Sequence, residues 1–356
     1  MRIVRKLPLV VAVSLACLGL VLVVLGSRLL EEPGLATALG AEDAVTLQGT
    51  GATFPAPLYQ RWFTEYNKQH PNVQINYQAL GSGAGIKQFQ QNLVDFGASD
   101  AAMTDAEMAR VKNGVVLLPM TAGAIVLAYN LPNISDLKLS RDAYAGIFLG
   151  KITSWNDPAI TKANPGVNLP DTKITVVSRS DGSGTTFVFT SHLSAISDEW
   201  KNGPGAGKSV NFPVGVAGKG NPGVSALIKQ TPGAIGYVEY GYAVQANMPM
   251  ALLENKSGKY VKADLNSGKD ALANVQLPEN LRAWVTDPAG PDSYPIVTYT
   301  WLLLYKKYQN SKTADALKSV IKYSLTQGQS FSADLGYIPL PGNVVDADMK
   351  ALDQIS

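Results

Sequence analysis

Cysteine and histidine are almost missing from this sequence: one Cys and two His in 356 residues. The one cysteine, Cys17, lies in an apolar run near the N-terminus. That excludes a disulfide framework or a cysteine-built metal centre in the folded part. No His/Cys/carboxylate cluster has metal-ligand spacing, so neither a metal nor another cofactor is expected. Charge is also sparse, at 16% of residues, and nearly balanced, with 30 basic and 28 acidic side chains for a formal net charge of +2. No Lys/Arg run forms a stripe along which a nucleic-acid backbone could lie, so no nucleic-acid partner is expected and any bound anion must be held by local groups. Repeats and low-complexity tracts are absent. What is present, 46% hydrophobic residues over this length, suffices for a sizeable core and exceeds one comfortable domain, so two lobes are expected.

The N-terminus differs in kind from the rest. Arg2, Arg5 and Lys6 precede an apolar run from Leu7 to Gly26, the charged-then-apolar order of an export signal. The run exceeds the usual ~7–15 residues of a signal core and approaches the ~20 that span a bilayer. Residues 1–40 therefore read as a signal peptide or an uncleaved membrane anchor, with Ala38, Leu39 and Gly40 before Ala41 offering a cleavage site. Ser14, Leu15 and Ala16 fit poorly the box that precedes a lipoprotein cysteine, so Cys17 reads as a plain apolar-segment residue. The folded part is expected in the periplasm or on the outer face of the cytoplasmic membrane.

Beyond about residue 45, short β-rich runs alternate with amphipathic helical stretches, which predicts an α/β fold. Val73, Ile75 and Tyr77 alternate as in a strand, and apolar runs at 115–120, 124–129, 174–177 and 295–305 read as buried strands. Leu58, Trp62 and Tyr66 share a helix face, as do Ile86, Phe89 and Leu93. Thr104 and Glu107 form a capping box. The long β-type runs at 124–130 and 296–305 bracket a middle block and could carry the chain from one lobe to the other and back. That gives lobe one as 45–123 plus 297–356 and lobe two as 124–296.

Three turns rich in Gly, Ser and Thr run straight into helical patterns: GTGATFPAP at 49–57, GSGAG at 81–85 and DGSGTTF at 181–187. A helix start has about four unpaired backbone N–H groups and a partial positive charge, and glycines let an anion approach them. The hydroxyls of Thr53, Ser82, Ser183 and Thr185 add donors. Each turn alone is compatible with an ordinary N-cap. None matches GxxxxGK[ST] or a strand-borne GxGxxG, so together they point to a small tetrahedral anion rather than a nucleotide.

These segments, with VDFGASDAAMTD, IFLGKITSWNDPAI, VVSRSDGSGTTFVFTSHL, GKGNPGV and PGAIGYVEY, resemble in the same order the phosphate-binding proteins of the ABC-type phosphate-specific transport systems, from about residue 47 to 345. The resemblance implies a type II periplasmic binding-protein fold, two α/β lobes joined by two crossing strands with phosphate in the cleft. It also implies inorganic phosphate, as hydrogen or dihydrogen phosphate, and the permease subunits of an ABC importer as partners, with a monomer expected. Position by position, Thr53 and Phe54 match the first ligand turn and Ser82 the second. Asp100 matches a proton-accepting carboxylate, Arg179 the cationic ligand, Ser183, Gly184 and Thr185 the third helix mouth, and Asp181 a carboxylate that orients the arginine. Gly83 departs from the pattern, standing where many relatives carry a second serine.

Alternatives remain at the level of residue chemistry. Asp100 by itself could cap the turn before Met103, and Arg179 could be a surface arginine, although its place after the apolar ITVV strand favours a cleft. Ser183 between two glycines resembles a nucleophile, but GxSxG is absent. The candidate bases are weak: His70 sits before a proline at a helix end, and His192 lies two turns along the same helix, directed away from the mouth. A sulfate- or molybdate-binding protein is the closer rival, and Asp100 discriminates it: an anion without a proton would leave two acceptors facing each other.

Overall fold

The structure, a computed structural model, describes residues 44–273 and 275–356. The expected signal or anchor segment, 1–40 with Cys17, lies outside the described residues. Among these, no helix is long and apolar enough to cross a membrane.

Among the described residues eleven strands are interspersed with helices, as the mixed periodicity predicts. The strands are β1 (Val45–Gly51), β2 (Val73–Gln78), β3 (Phe96–Ser99), β4 (Val115–Tyr129), β5 (Lys138–Leu139), β6 (Thr175–Arg179), β7 (Val216–Gly218), β8 (Ala234–Glu239), β9 (Leu252–Glu254), β10 (Tyr260–Val261) and β11 (Val297–Tyr305). The helices are α1 (Ala56–Gln69), α2 (Ser82–Gln90), α3 (Asp105–Met108), α4 (Arg141–Phe148), α5 (Pro158–Thr161), α6 (Gly184–Ile196), α7 (Asp198–Asn202), α8 (Gly220–Gln230), α9 (Tyr240–Gln245), α10 (Leu265–Leu272), α11 (Ser311–Leu325) and α12 (Gly342–Leu352). Eight strands form one sheet in the order β2-β1-β3-β11-β4-β8-β6-β7, and β10-β9-β5 form a small second sheet.

The centre of the large sheet explains the apolar runs. All fifteen residues of β4, all nine of β11 and all six of β8 are buried, as expected of strands covered on both faces. The runs at 115–120 and 124–129 prove to be one strand, because Thr121, Ala122 and Gly123 between them pair with Thr300, Tyr299 and Thr298 of β11. From Ile125 onward β4 pairs instead with β8, so this one strand belongs to both halves of the sheet. Pro119 would ordinarily be excluded from a central strand, since it has no N–H to donate. Here the β4–β11 register shifts between Thr300 and Trp301, opposite Pro119, and the irregularity accommodates it.

Two local expectations meet different outcomes. Thr104 and Glu107 do form a reciprocal capping box, at the start of α3. Leu93, however, does not continue the buried stripe of Ile86 and Phe89. Helix α2 ends at Gln90, Asn92 has φ 55°, and Leu93 is exposed. Asparagine tolerates this left-handed conformation better than most residues, and the chain there turns before the helical period can recur.

Leu127, fully buried in β4, tests how far the shared strand holds the fold together. Leu127→Ala should lower the unfolding free energy by about 2–5 kcal/mol, measured by urea denaturation with the m-value unchanged. A loss below about 1 kcal/mol would mean that the strand is not central to one cooperative core.

Candidate functional site

The Gly/Ser/Thr turns lie where the sheet topology would put a ligand. Strands β1, β2 and β3 run parallel to one another, as do β6, β7 and β8, and the turns leave the carboxyl ends of β1, β2, β6 and β7, the usual position of a crevice in open α/β sheets. Helices α1, α2 and α6 start at the three turns singled out in the sequence. A fourth, α8, starts at Gly220 in GKGNPGV.

Asp100 follows β3 and is buried at 2% exposure. Its Oδ1 accepts from the Thr300 hydroxyl at 2.8 Å, and its backbone N–H donates to Ser82 Oγ at 3.2 Å. Thr300 sits beside the β4–β11 irregularity. Burial pushes the Asp100 carboxyl up to about 7, against the opposing influence of Thr300, Arg179 and Ser82. The turn after it is held by Ser99, whose Oγ donates to Ala101 O and accepts from Ala101 N–H. Asp100 is therefore free of that capping role.

Arg179 ends β6, and its side chain is buried. Its Nε and Nη2 donate to the two oxygens of Asp181 at 2.8 and 2.6 Å, and Nη1 donates to Thr185 Oγ1 at 3.3 Å. Of the guanidinium's five N–H donors, three are thus committed and two remain. Asp181 also accepts from the N–H of Gly220 at 2.8 Å. Burial opposes its ionisation, but the bonds to Arg179 and Gly220 hold it below the ordinary carboxylate range. This pair is internally neutral.

At the mouth of α6, Ser183 is the N-cap, and its Oγ accepts from Thr186 N–H at 3.0 Å. Phe187 N–H goes to Ser183 O, so among the described residues the N–H groups of Gly184 and Thr185 are left over. Gly184 is required by space. A Cβ there would lie 2.6 Å from both Asp100 Cβ and Ser82 Oγ, so α6 presses its first residue against Asp100 itself. The Gly83 departure has the same kind of reason: its N–H donates to Gly182 O at 2.8 Å, and a Cβ would meet Gly182 Cα at 3.1 Å.

Thr53 and Phe54 precede α1. Their carbonyls accept from the Tyr242 hydroxyl at 2.6 Å and the Tyr337 hydroxyl at 2.7 Å, respectively. Thr53 Oγ1 accepts from the backbone N–H and Nδ2 of Asn221 at 3.1 and 3.0 Å. Every sequence-predicted site residue thus falls in one linked cluster, buried except for the half-buried Asp181. Thr300, Asn221, Tyr242 and Tyr337 were missed, as was Tyr237, whose hydroxyl accepts from the Arg179 backbone N–H at 3.1 Å and lies 2.7 Å from Thr186 Oγ1. Asn221 stood in the fourth glycine turn and could have been weighed with the other three. Tyr237 stood in the PGAIGYVEY segment, whereas Thr300 in the apolar strand β11, Tyr242 in the short helix α9 and Tyr337 in the chain after it carried no sequence signal of their own.

Contacts flank the cluster. Lys208 Nζ reaches Glu107 Oε1 at 2.6 Å, and Arg282 bonds Asp105 Oδ1 at 2.6 Å and Met103 O at 2.9 Å, so α3 is held from two directions. His192 is buried, its Nε2 within 2.8 Å of the Tyr144 hydroxyl, and burial pushes it down to about 4 despite Asp287 nearby. His70 is exposed and stacks on Tyr66. Neither histidine bonds Ser183. Among the described residues no group of three or more His, Cys, Asp or Glu could hold a metal ion.

Comparison with known proteins gives a consistent result. A family model described as a PBP superfamily domain matches residues 36–327. The chain is 43% identical over 307 residues to the phosphate-binding protein PstS of Pasteurella multocida, covering 85% of this chain and 88% of that one. It is 41% identical over 338 residues to PstS of Methanocaldococcus jannaschii, covering 88% and 87%. Among solved structures, a phosphate-binding protein from Stenotrophomonas maltophilia superposes with a TM-score of 0.71 at 20% identity, over 86% of this chain and 93% of that one. The architecture is the type II periplasmic binding-protein fold.

The raised Asp100 carboxyl has a measurable consequence. Between about pH 4, its ordinary range, and about 7, the folded protein keeps a proton that the unfolded chain has released, so this group makes stability fall as pH rises through that window. Asp100→Asn removes the effect. In buffer free of oxyanions, the stability gap between variant and wild type should move in the variant's favour by roughly 1.4 kcal/mol per pH unit from pH 5 to 7, followed by urea unfolding. Parallel pH profiles would show that Asp100 ionises normally.

Proposed function

The chain belongs to the PBP superfamily and, within it, to the PstS phosphate-binding proteins, and from that membership we propose that it captures inorganic phosphate between two lobes outside the cytoplasmic membrane and delivers it to an ABC-type importer. It is a substrate-binding protein and not an enzyme. Residues 1–40, as signal or anchor, would bring it to the outer face of that membrane. The division into lobes, 45–123 plus 297–356 and 124–296, is supported by the sheet order: β4 and β11 stand between β2-β1-β3 and β8-β6-β7. The cluster around Asp100 would then lie between the lobes, and its contacts would form on closure.

In this reading Thr53, Phe54, Ser82, Gly184 and Thr185 offer backbone N–H groups. Thr53, Ser82, Ser183 and Thr185 offer hydroxyls, and Arg179, oriented by Asp181, offers its two remaining N–H donors. One observation carries the choice of anion: a buried carboxyl, Asp100, stands among donors while the nearby cation is already paired with Asp181. An ionised Asp100 needs a donor. Phosphate supplies one through its P–OH, and a short charge-assisted bond forms between groups that share a proton readily. Sulfate has no proton to give, and leaving a buried charge unpaired costs a few kcal/mol or more.

Two measurements test this. In protein unfolded and refolded to strip carried-over anion, phosphate should raise the thermal midpoint and sulfate should not displace labelled phosphate at pH 8. Asp100→Asn gains an amide N–H₂ donor, so sulfate should then compete measurably; equal displacement in both proteins would remove Asp100 as the proton reader. Gly184→Ala should weaken phosphate binding by at least a hundredfold while lowering the ligand-free thermal midpoint little, because the new methyl collides with Asp100 and Ser82 only where α6 meets them. A binding loss no larger than the stability loss would mean the turn is structural only.

A further inference from the structure

Asn221 opens α8 and is fully buried. Its amide touches both sides of the cluster. Nδ2 donates to Thr53 Oγ1 at 3.0 Å and to Thr185 Oγ1 at 3.4 Å, and its backbone N–H donates to Thr53 Oγ1 at 3.1 Å. Oδ1 accepts from the backbone N–H of Glu239 at 3.1 Å. A backbone N–H can only donate, so the amide oxygen must face Glu239 and the amide nitrogen must face the two threonines. The orientation of this side chain is therefore decided by its surroundings.

The consequence concerns the hydroxyl protons. A threonine hydroxyl has one donor and two acceptor sites. Both acceptor sites of Thr53 are taken by Asn221. Those of Thr185 are taken by Asn221 and by Arg179 Nη1. Among the described residues neither hydroxyl donates to a protein acceptor, so each has a proton and nowhere in the protein to direct it. We propose that Asn221 is a specificity-determining positioning residue: by occupying the acceptor sites of Thr53 and Thr185 it turns both hydroxyls into obligate donors toward the anion, and leaves the reading of the anion's proton to Asp100. An anion with a second proton would meet donor against donor at either threonine. This inference rests on the proposed phosphate site and extends it to a residue one step removed from the ligand.

The test measures phosphate affinity by equilibrium dialysis at pH 8 and at pH 5.5, where the anion carries a second proton. In Asn221→Ala the hydroxyls can rotate and accept. Affinity at pH 8 should fall about tenfold, in line with hydrogen bonds to a charged group, and should fall less at pH 5.5. Asn221→Asp keeps an oxygen for Glu239 N–H but puts an acceptor where the amide donor was, so it draws the hydroxyl protons away from the anion. Its loss at pH 8 should exceed that of Asn221→Ala by a further tenfold or more. In a Thr53→Val, Thr185→Val background, Asn221→Ala should cost little more, because the groups it acts through are gone; this arm also reads the effect independently of any general loosening of α8. An equal loss at both pH values, or full additivity in the valine background, would overturn the inference and leave Asn221 a structural brace. Failure of wild type to bind phosphate would instead overturn the proposed function.

Discussion

The cluster is organised around a buried carboxyl group that has no cation of its own. The Asp100 carboxyl accepts from the Thr300 hydroxyl at 2.8 Å and, at 3.5 Å, from Ser82 Oγ, and the nearest guanidinium is held by both oxygens of Asp181. Burying a carboxylate with so little compensation is unfavourable, and its ionisation is accordingly pushed up into the neutral range. The rest of the site follows from tolerating that group. Strand β3 must deliver it, β11 must bring Thr300 to it, and α6 must approach without a Cβ at Gly184.

The donors around Asp100 are mostly dipoles. Arg179 and Asp181 form a neutral pair, and the remaining groups are helix N-termini and hydroxyls, which act at short range and are little affected by salt when buried. This agrees with the chain's near-neutral balance of charge: an anion would be drawn by what it touches rather than by a field over the surface. The glycines serve the same end, making room at Gly184 and Gly83 for backbone to come within van der Waals contact of the opposing turn.

A second buried carboxyl, Glu239, ties the cluster to the end of β8. It caps α9 by accepting from Gly241 and Tyr242 N–H, and burial pushes it up to about 8. Its own N–H holds Asn221, and Tyr337, whose hydroxyl bonds Phe54 O, lies 3.4 Å from its Oε2. The start of α1, the start of α8 and the end of β8 are thereby connected through side chains that leave few polar groups unpaired. Such a network favours one arrangement over several nearby ones, because each partial break leaves a buried donor or acceptor without a partner.

Much of this was legible in the chain itself. Apolar runs announced β4 and β11, Thr104 and Glu107 announced the cap of α3, and three glycine turns announced three helix mouths, because strand burial, capping and close backbone approach each act over a few neighbouring residues. Leu93 was misread for the converse reason: a single left-handed asparagine ended the helix before the period could repeat. What only the tertiary structure decided is which distant groups meet. Thr300 lies two hundred residues from Asp100, and Asn221 lies 168 from Thr53. Thr300 resembles any polar residue in a buried strand, and Asn221 any asparagine at a helix start. Their roles come from the sheet order, which sets β3 beside β11 and brings the starts of α1, α6 and α8 to one place, and from the requirement that every buried polar atom there find a partner, a condition that no local pattern encodes.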